Sequence, residues 1–151
     1  MDLFAEFQSL VRVLNEANLD YAVCGGFALA VHGFPRATQD VDLLLPEASL
    51  PVLRAAAEPL GYRSQPRPLD LATGQVRIHR FTKFAGLDED ALVLDVLSVT
   101  PATQAAWDGR VVIETVFGPL PVVSREGLIS LKRLRGSGQD KDDIRNLEAG
   151  Q

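Results

Sequence analysis

Cys24-Gly25-Gly26-Phe27-Ala28-Leu29-Ala30-Val31-His32-Gly33-Phe34-Pro35-Arg36-Ala37-Thr38-Gln39-Asp40-Val41-Asp42-Leu43-Leu44-Leu45 is the stretch that decides how this chain folds. The residues leading into it, Tyr21 to Cys24, are apolar and β-prone, and read as a strand. Gly25 and Gly26 carry no Cβ, so the backbone there can turn sharply and come close to a ligand. Phe27 to Val31 then suits a short helix whose first free N–H groups point back at the turn, a place that favours phosphate oxygens. Asp40 to Leu45 predicts a second strand. Its alternation puts Asp40, Asp42 and Leu44 on one face and Val41, Leu43 and Leu45 on the other.

Two aspartates projecting together from an apolar strand repel each other and lose hydration, a cost that a divalent cation offsets. Mg²⁺ takes hard oxygen ligands and commonly bridges one or two carboxylates to substrate phosphates. A third carboxylate is available in Ala91-Leu92-Val93-Leu94-Asp95-Val96-Leu97, where Asp95 stands alone among apolar residues. A strand there places Asp95 on the face of Val93 and Leu97, and an acid inside a buried strand needs a partner. The metal held by Asp40 and Asp42 is the expected one.

This set resembles the nucleotidyltransferase superfamily of polymerase-beta-like fold, in which a Gly-Gly or Gly-Ser turn precedes a helix and an Asp-x-Asp strand, with a third acid on a later strand. More narrowly, Gly-Gly-Phe-Ala with His32-Gly33, Arg36, Thr38 and Asp40-Val41-Asp42-Leu43-Leu44 is similar to small bacterial nucleotidyltransferase-like proteins related to abortive-infection toxins. Those often end in a basic helix and an acidic helix start, as do Leu128 to Arg135 and Gln139 to Leu147 here. The resemblance implies a single α+β domain over residues 1–151, a mixed sheet flanked by helices with further helices at the C-terminal end. It also implies transfer of a nucleoside monophosphate from an NTP to a hydroxyl acceptor, with pyrophosphate released. Asp40, Asp42 and Asp95 would hold two Mg²⁺ ions, and Asp95 could also take the acceptor proton. Gly25, Gly26, Arg36, Thr38 and Lys132 would bind the nucleotide. The acceptor stays open between an RNA 3′ end such as that of tRNA, a protein hydroxyl and a small molecule. A homodimer or a cognate antitoxin could complete the acceptor pocket, because 151 residues leave little room for an extra helical domain. The alternative is a catalytically silent nucleotide-binding or antitoxin-like regulatory partner that keeps the fold.

Composition narrows the class without choosing the substrate. A chain of 151 residues with 46% hydrophobic content can bury a core and is no disordered tail. One cysteine, Cys24, makes no internal disulfide and fits a reducing compartment. The chain opens without a basic, apolar leader, and the apolar run Tyr21 to Val31 is too short to cross a membrane. A cytoplasmic protein is the expectation. The formal net charge of −5 argues against a broad nucleic-acid-coating surface, and weakly against long RNA as acceptor. His32 and His79 stand far apart with no thiolate partners and do not suggest zinc.

Along the rest of the chain, Leu3, Phe4, Phe7, Leu10, Val11 and Leu14 recur at helical spacing and predict an amphipathic helix over Asp2 to Ala17. Leu50, Leu53, Ala57 and Leu60 predict another, ended by Gly61. Strands are expected near Tyr62 to Ser64, Gln75 to Phe84, Leu92 to Ser98 and Val111 to Val116, with a helical turn in Pro101 to Trp107. Ser124 is a good N-cap for a helix reaching Leu134. Gly136-Ser137-Gly138 breaks it before a final helix over Asp140 to Glu148. In that last helix Asp140 and Asp143 share the face that Ile144 and Leu147 should bury. Either they are helix-start acids, or one pairs with an inward cation such as Arg36 or Lys132 and braces the site. Lys132 itself reads two ways, as a point charge for a triphosphate or as a lysine snorkelling from an apolar stripe.

Overall fold

In the computed structural model, residues 2–84, 86 and 90–150 are described. Asp2 caps the first helix, α1 (Leu3–Glu16), by accepting the Phe4 N–H at 2.9 Å, and the stripe Phe7, Leu10, Val11 and Leu14 is buried. Next come β1 (Ala22–Cys24), α2 (Gly25–Val31), β2 (Asp40–Leu45) and α3 (Leu50–Ala57). A 3-10 turn extends α3 until Gly61, at φ +100°, redirects the chain. Four strands follow, β3 (Arg63–Ser64), β4 (Leu69–Leu71), β5 (Val76–Lys83) and β6 (Leu92–Ser98), then α4 (Gln104–Asp108), β7 (Val111–Thr115) and β8 (Gly118–Val122). The chain closes with α5 (Arg125–Arg135) and α6 (Gly138–Ala149).

The described strands form one mixed sheet in the order β3-β5-β6-β2-β1-β8-β7, with β4 also pairing β5. This is the α+β architecture expected of the chain. Register carries the functional content. Asp42 lies opposite Cys24 on antiparallel β1 and opposite Asp95 on parallel β6, and Asp95 lies opposite Arg80 on β5. Partners in neighbouring strands project to the same face, so Cys24, Asp42, Asp95 and Arg80 form a row across four strands. Further along that face, Leu97 lines a small cavity together with Leu128 and Leu131 of α5. On the opposite face, Glu6 of α1 takes Lys83 of β5 at 3.0 Å and the Tyr62 hydroxyl at 3.0 Å.

Three departures from the expected elements have physical causes. The glycine pair is the first turn of α2 and not a separate turn, because Gly25 at φ +65° swings the chain out of β1 in a single residue. Strand β8 was hidden by Pro119 and Pro121, which argue against a strand. The Val123 N–H donates to the Val23 carbonyl at 3.0 Å, and alternation puts both proline nitrogens on that same β1-facing edge. There β8 pairs with β1 only at its end, Val23 against Val122, so the missing donors are not needed. Strand β4 escaped notice because Leu69 to Leu71 is short and exposed. Among the described residues, no helix is long and apolar enough to cross a membrane.

Candidate functional site

Asp40 and Asp42 project from the start of β2 beside the first turn of α2. Asp42 is 8% exposed, and it accepts no hydrogen bond and makes no ion pair among the described residues. Burial, the neighbouring Asp95 and, more weakly, Asp40 push its carboxyl up to about 7, against opposition from Arg135 and Lys132. Asp40 is pushed up as well, by burial and by Asp95, with Arg80 and Arg135 opposing. An acid with little access to water, crowded by other acids and given no protein donor, is a costly arrangement for the fold alone.

Both glycines are needed here for space. A Cβ on Gly25 would stand 2.1 Å from Asp42 Oδ2, and one on Gly26 would stand 2.6 Å from Thr38 Oγ1. The helix start therefore packs directly onto the acid strand and its entry loop. Thr38, expected at the nucleotide, lines the cleft and fixes that loop by donating its hydroxyl to the Asp40 carbonyl at 3.2 Å. His32 is structural too, with Nε2 2.9 Å from the Val123 carbonyl oxygen.

The third acid has a protein partner already. Arg80 donates to both oxygens of Asp95, Nε to Oδ1 at 2.9 Å and Nη2 to Oδ2 at 3.0 Å. Asp95 is thus one strand from Asp42 on the same face, as expected, but a guanidinium holds it. Among the described residues no group of three acids, histidines or cysteines is arranged to hold a metal ion. Nothing local in the sequence marks Arg80 as a partner for Asp95. The signal was present in the pairing of two strands: only the register of β5 against β6 reveals that Arg80 meets Asp95.

The opposite wall comes from the α5–α6 corner. Gly136, at φ +68°, ends α5, and Ser137 caps α6 in a reciprocal capping box with Asp140. Between the two walls lies a cleft of about 330 Å³ whose lining includes Gly25, Gly26, Arg36, Thr38, Asp40, Asp42, Lys132, Arg135, Ser137, Gln139 and Asp140. All the residues nominated from sequence meet there except Asp95, which stands behind Asp42. Lys132 is enclosed, its Nζ 2.9 Å from Asp143 Oδ2 and 3.7 Å from Asp140 Oδ1. Arg36 reaches the same Asp143 through Nε at 3.1 Å and Nη2 at 3.1 Å, and Gln139 adds a third donor side chain at 3.0 Å. Both readings of the last helix hold at once: Asp140 is a cap, and Asp143 is the brace. A wider groove of about 740 Å³ beyond the Arg36–Asp143 pair contains none of Asp40, Asp42 and Asp95.

No protein-family model matches this chain, and no curated protein sequence does. Solved structures do match. The chain superposes on ANT(2″)-Ia in complex with adenylyl-2″-tobramycin with a TM-score of 0.62 at 17% identity, covering 97% of this chain and 87% of that one. On the lincosamide antibiotic adenylyltransferase LnuA, bound to lincomycin, the TM-score is 0.62 at 16% identity, over 95% of each chain. A provisionally assigned nucleotidyltransferase, TM1012 from Thermotoga maritima, gives 0.67 at 12% identity, over 99% of this chain and 94% of that one. The chain therefore has the nucleotidyltransferase fold.

Proposed function

We propose that this protein is a nucleotidyltransferase that moves a nucleoside monophosphate from an NTP to a hydroxyl group of a small-molecule acceptor, releasing pyrophosphate. The observation that carries the reading is Asp42: buried, without a donor, crowded by Asp40 and Asp95, and facing a cleft with Gly25 and Gly26 at its edge. A protein that did not use this acid would gain by replacing it with an apolar residue.

Asp40 and Asp42 suit a hard divalent cation such as Mg²⁺, since an unpaired, partly dried carboxylate pair is what such an ion relieves. Bound there, the ion would neutralise phosphate charge and draw electron density from the α-phosphorus. The chain's own groups supply the rest. N–H groups at the Gly25–Gly26 helix start bind phosphate oxygens. Thr38 holds the Asp40 backbone in place. Asp95, outside the cleft lining, would receive the acceptor's proton through a water as the new oxygen–phosphorus bond forms and the bond to the leaving pyrophosphate breaks. Each carboxylate oxygen keeps a second lone pair while paired with Arg80, so the pair orients Asp95 without exhausting it. A small-molecule acceptor is favoured because this chain spans nearly the full length of two antibiotic adenylyltransferases. No extra helical domain is then required.

One observation supports a second reading, a silent nucleotide-binding partner: Arg80 already neutralises the third acid. The two readings separate in a single set of measurements, thermal stability with each NTP with and without Mg²⁺, and pyrophosphate release with a panel of hydroxylated small molecules. Transfer predicts a Mg²⁺-dependent shift for one NTP and acceptor-dependent pyrophosphate release, both lost in Asp40→Asn/Asp42→Asn. A nucleotide-induced shift with no release for any acceptor favours the silent partner. No shift with any NTP sinks both.

A further inference from the structure

Three cations border the donor cleft, and two of them are occupied. Lys132 is locked between Asp140 and Asp143 with its side chain 5% exposed. Arg36 spends Nε and Nη2 on Asp143 and Nη1 on the Ala37 carbonyl. Freeing either one would strand Asp143, whose side chain is 3% exposed, and a buried carboxylate without its partners is heavily penalised. These two cations hold the wall.

Arg135 is different. It donates no hydrogen bond to any described residue, and its nearest carboxylate oxygen, Asp140 Oδ2, is 4.0 Å from Nε. That oxygen already accepts from the Ser137 hydroxyl at 2.6 Å and the Ser137 N–H at 3.2 Å. The Arg135 side chain is 40% exposed and lines the cleft shared by Gly25, Gly26, Asp40 and Asp42. Its charge also lies close enough to Asp40 and Asp42 to oppose the upward push on both. We propose that Arg135 is the cation that reads the β- and γ-phosphates of the donor, while Lys132 and Arg36 position the wall that presents it. The assignment rests on the transfer reading and deepens it. A planar fork of donors matches phosphate oxygens in pairs, which an enclosed lysine cannot do. The position also lies at the carbonyl end of α5, which favours a cation in any case, so the test must separate ligand binding from a helix-end effect.

The experiment is titration of wild type, Arg135→Gln and Arg135→Lys with AMP, ADP and ATP in the presence of Mg²⁺, with melting temperature recorded for each. Arg135→Gln is expected to weaken ATP on the order of 10- to 100-fold, the loss of a charge-assisted contact. AMP should stay within about 2-fold, because it lacks the phosphates in question. Arg135→Lys should recover part of the ATP affinity. ATP binding unchanged in Arg135→Gln overturns the assignment, and so does an equal loss for AMP and ATP, which marks a structural effect. A wild type that binds no nucleotide with Mg²⁺ overturns both the assignment and the transfer reading beneath it.

Discussion

Asp42 and Asp143 are buried to nearly the same depth, 8% and 2% exposed, yet their surroundings drive them in opposite directions. Asp143 would be raised by burial, but hydrogen bonds from Arg36, Lys132 and Gln139 outweigh that and hold its carboxyl below the usual range. Asp42 receives no donor, and burial together with Asp95 lifts it to about 7. One acid is completed by the protein. The other has no protein donor among the described residues. The contrast sets a braced acid against an unbraced one within a single cleft, since the α5–α6 wall that Asp143 pins faces the sheet row that contains Asp42.

The largest effect should come from the completed acid. Asp143→Ala leaves Lys132 nearly buried and Arg36 without its main partner, and breaking a buried pair from one side costs about 3–5 kcal/mol. Urea unfolding should show this loss at pH 7, and a cost under about 1 kcal/mol would mean that the α5–α6 corner is held by its apolar contacts alone. The pH dependence has a definite sign. A carboxyl lowered in the folded state contributes stability above its unfolded pKa, lost as the pH falls through the folded value. Asp143's support should therefore fade only in acid, below about pH 4.

Asp42 should behave in the opposite sense. Its folded value, about 7, lies above the unfolded one, so folding favours its protonated form. The folded state binds the extra proton between about pH 4 and pH 7, and stability drains away as the pH rises through that window. Asp42→Asn removes this drain. The variant should be more stable than wild type at pH 8 by up to about 4 kcal/mol, and the difference should shrink toward pH 4. Equal stability at both pH values would show that Asp42 is solvated and that its isolation carries no cost. A variant that is more stable and unable to transfer nucleotide is the expected mark of an acid retained for chemistry.

These two acids also show what the sequence could and could not disclose. Asp40, Asp42, Gly25 and Gly26 were legible because they are local: a strand, a helix start and the spacing between them set their geometry within eighteen positions. Asp95 was legible because a lone acid in an apolar strand demands a partner. Which partner it has was not legible, since Arg80 reaches it only through the antiparallel register of β5 on β6. The same holds for Asp143, whose charged donors come from residues 107 and 11 positions away. Helical spacing placed it on the buried face but did not choose among Arg36, Lys132 and a simple cap. Arg135 lay in plain view within a basic run, and its separation from Lys132 is decided by packing, which turns one side chain inward and leaves the other at the cleft.

The loop between the two clusters gives the finest test of their independence. Arg36 at one end belongs to Asp143, and Asp40 at the other belongs to the sheet row, with Thr38 midway. Its side chain fills the space over Gly26 that a Cβ would otherwise take, and its hydroxyl donates to the Asp40 carbonyl. Thr38→Val keeps nearly the same volume and removes only the donor, so its cost should be about 1 kcal/mol, that of one partly exposed hydrogen bond. If the clusters are independent, this loss should add to that of Asp143→Ala within about 0.5 kcal/mol, measured as a double-mutant cycle by urea unfolding. A larger coupling would mean that the loop transmits strain from the braced wall to the acid strand. The stabilising acid and the functional acid would then be one cooperative unit.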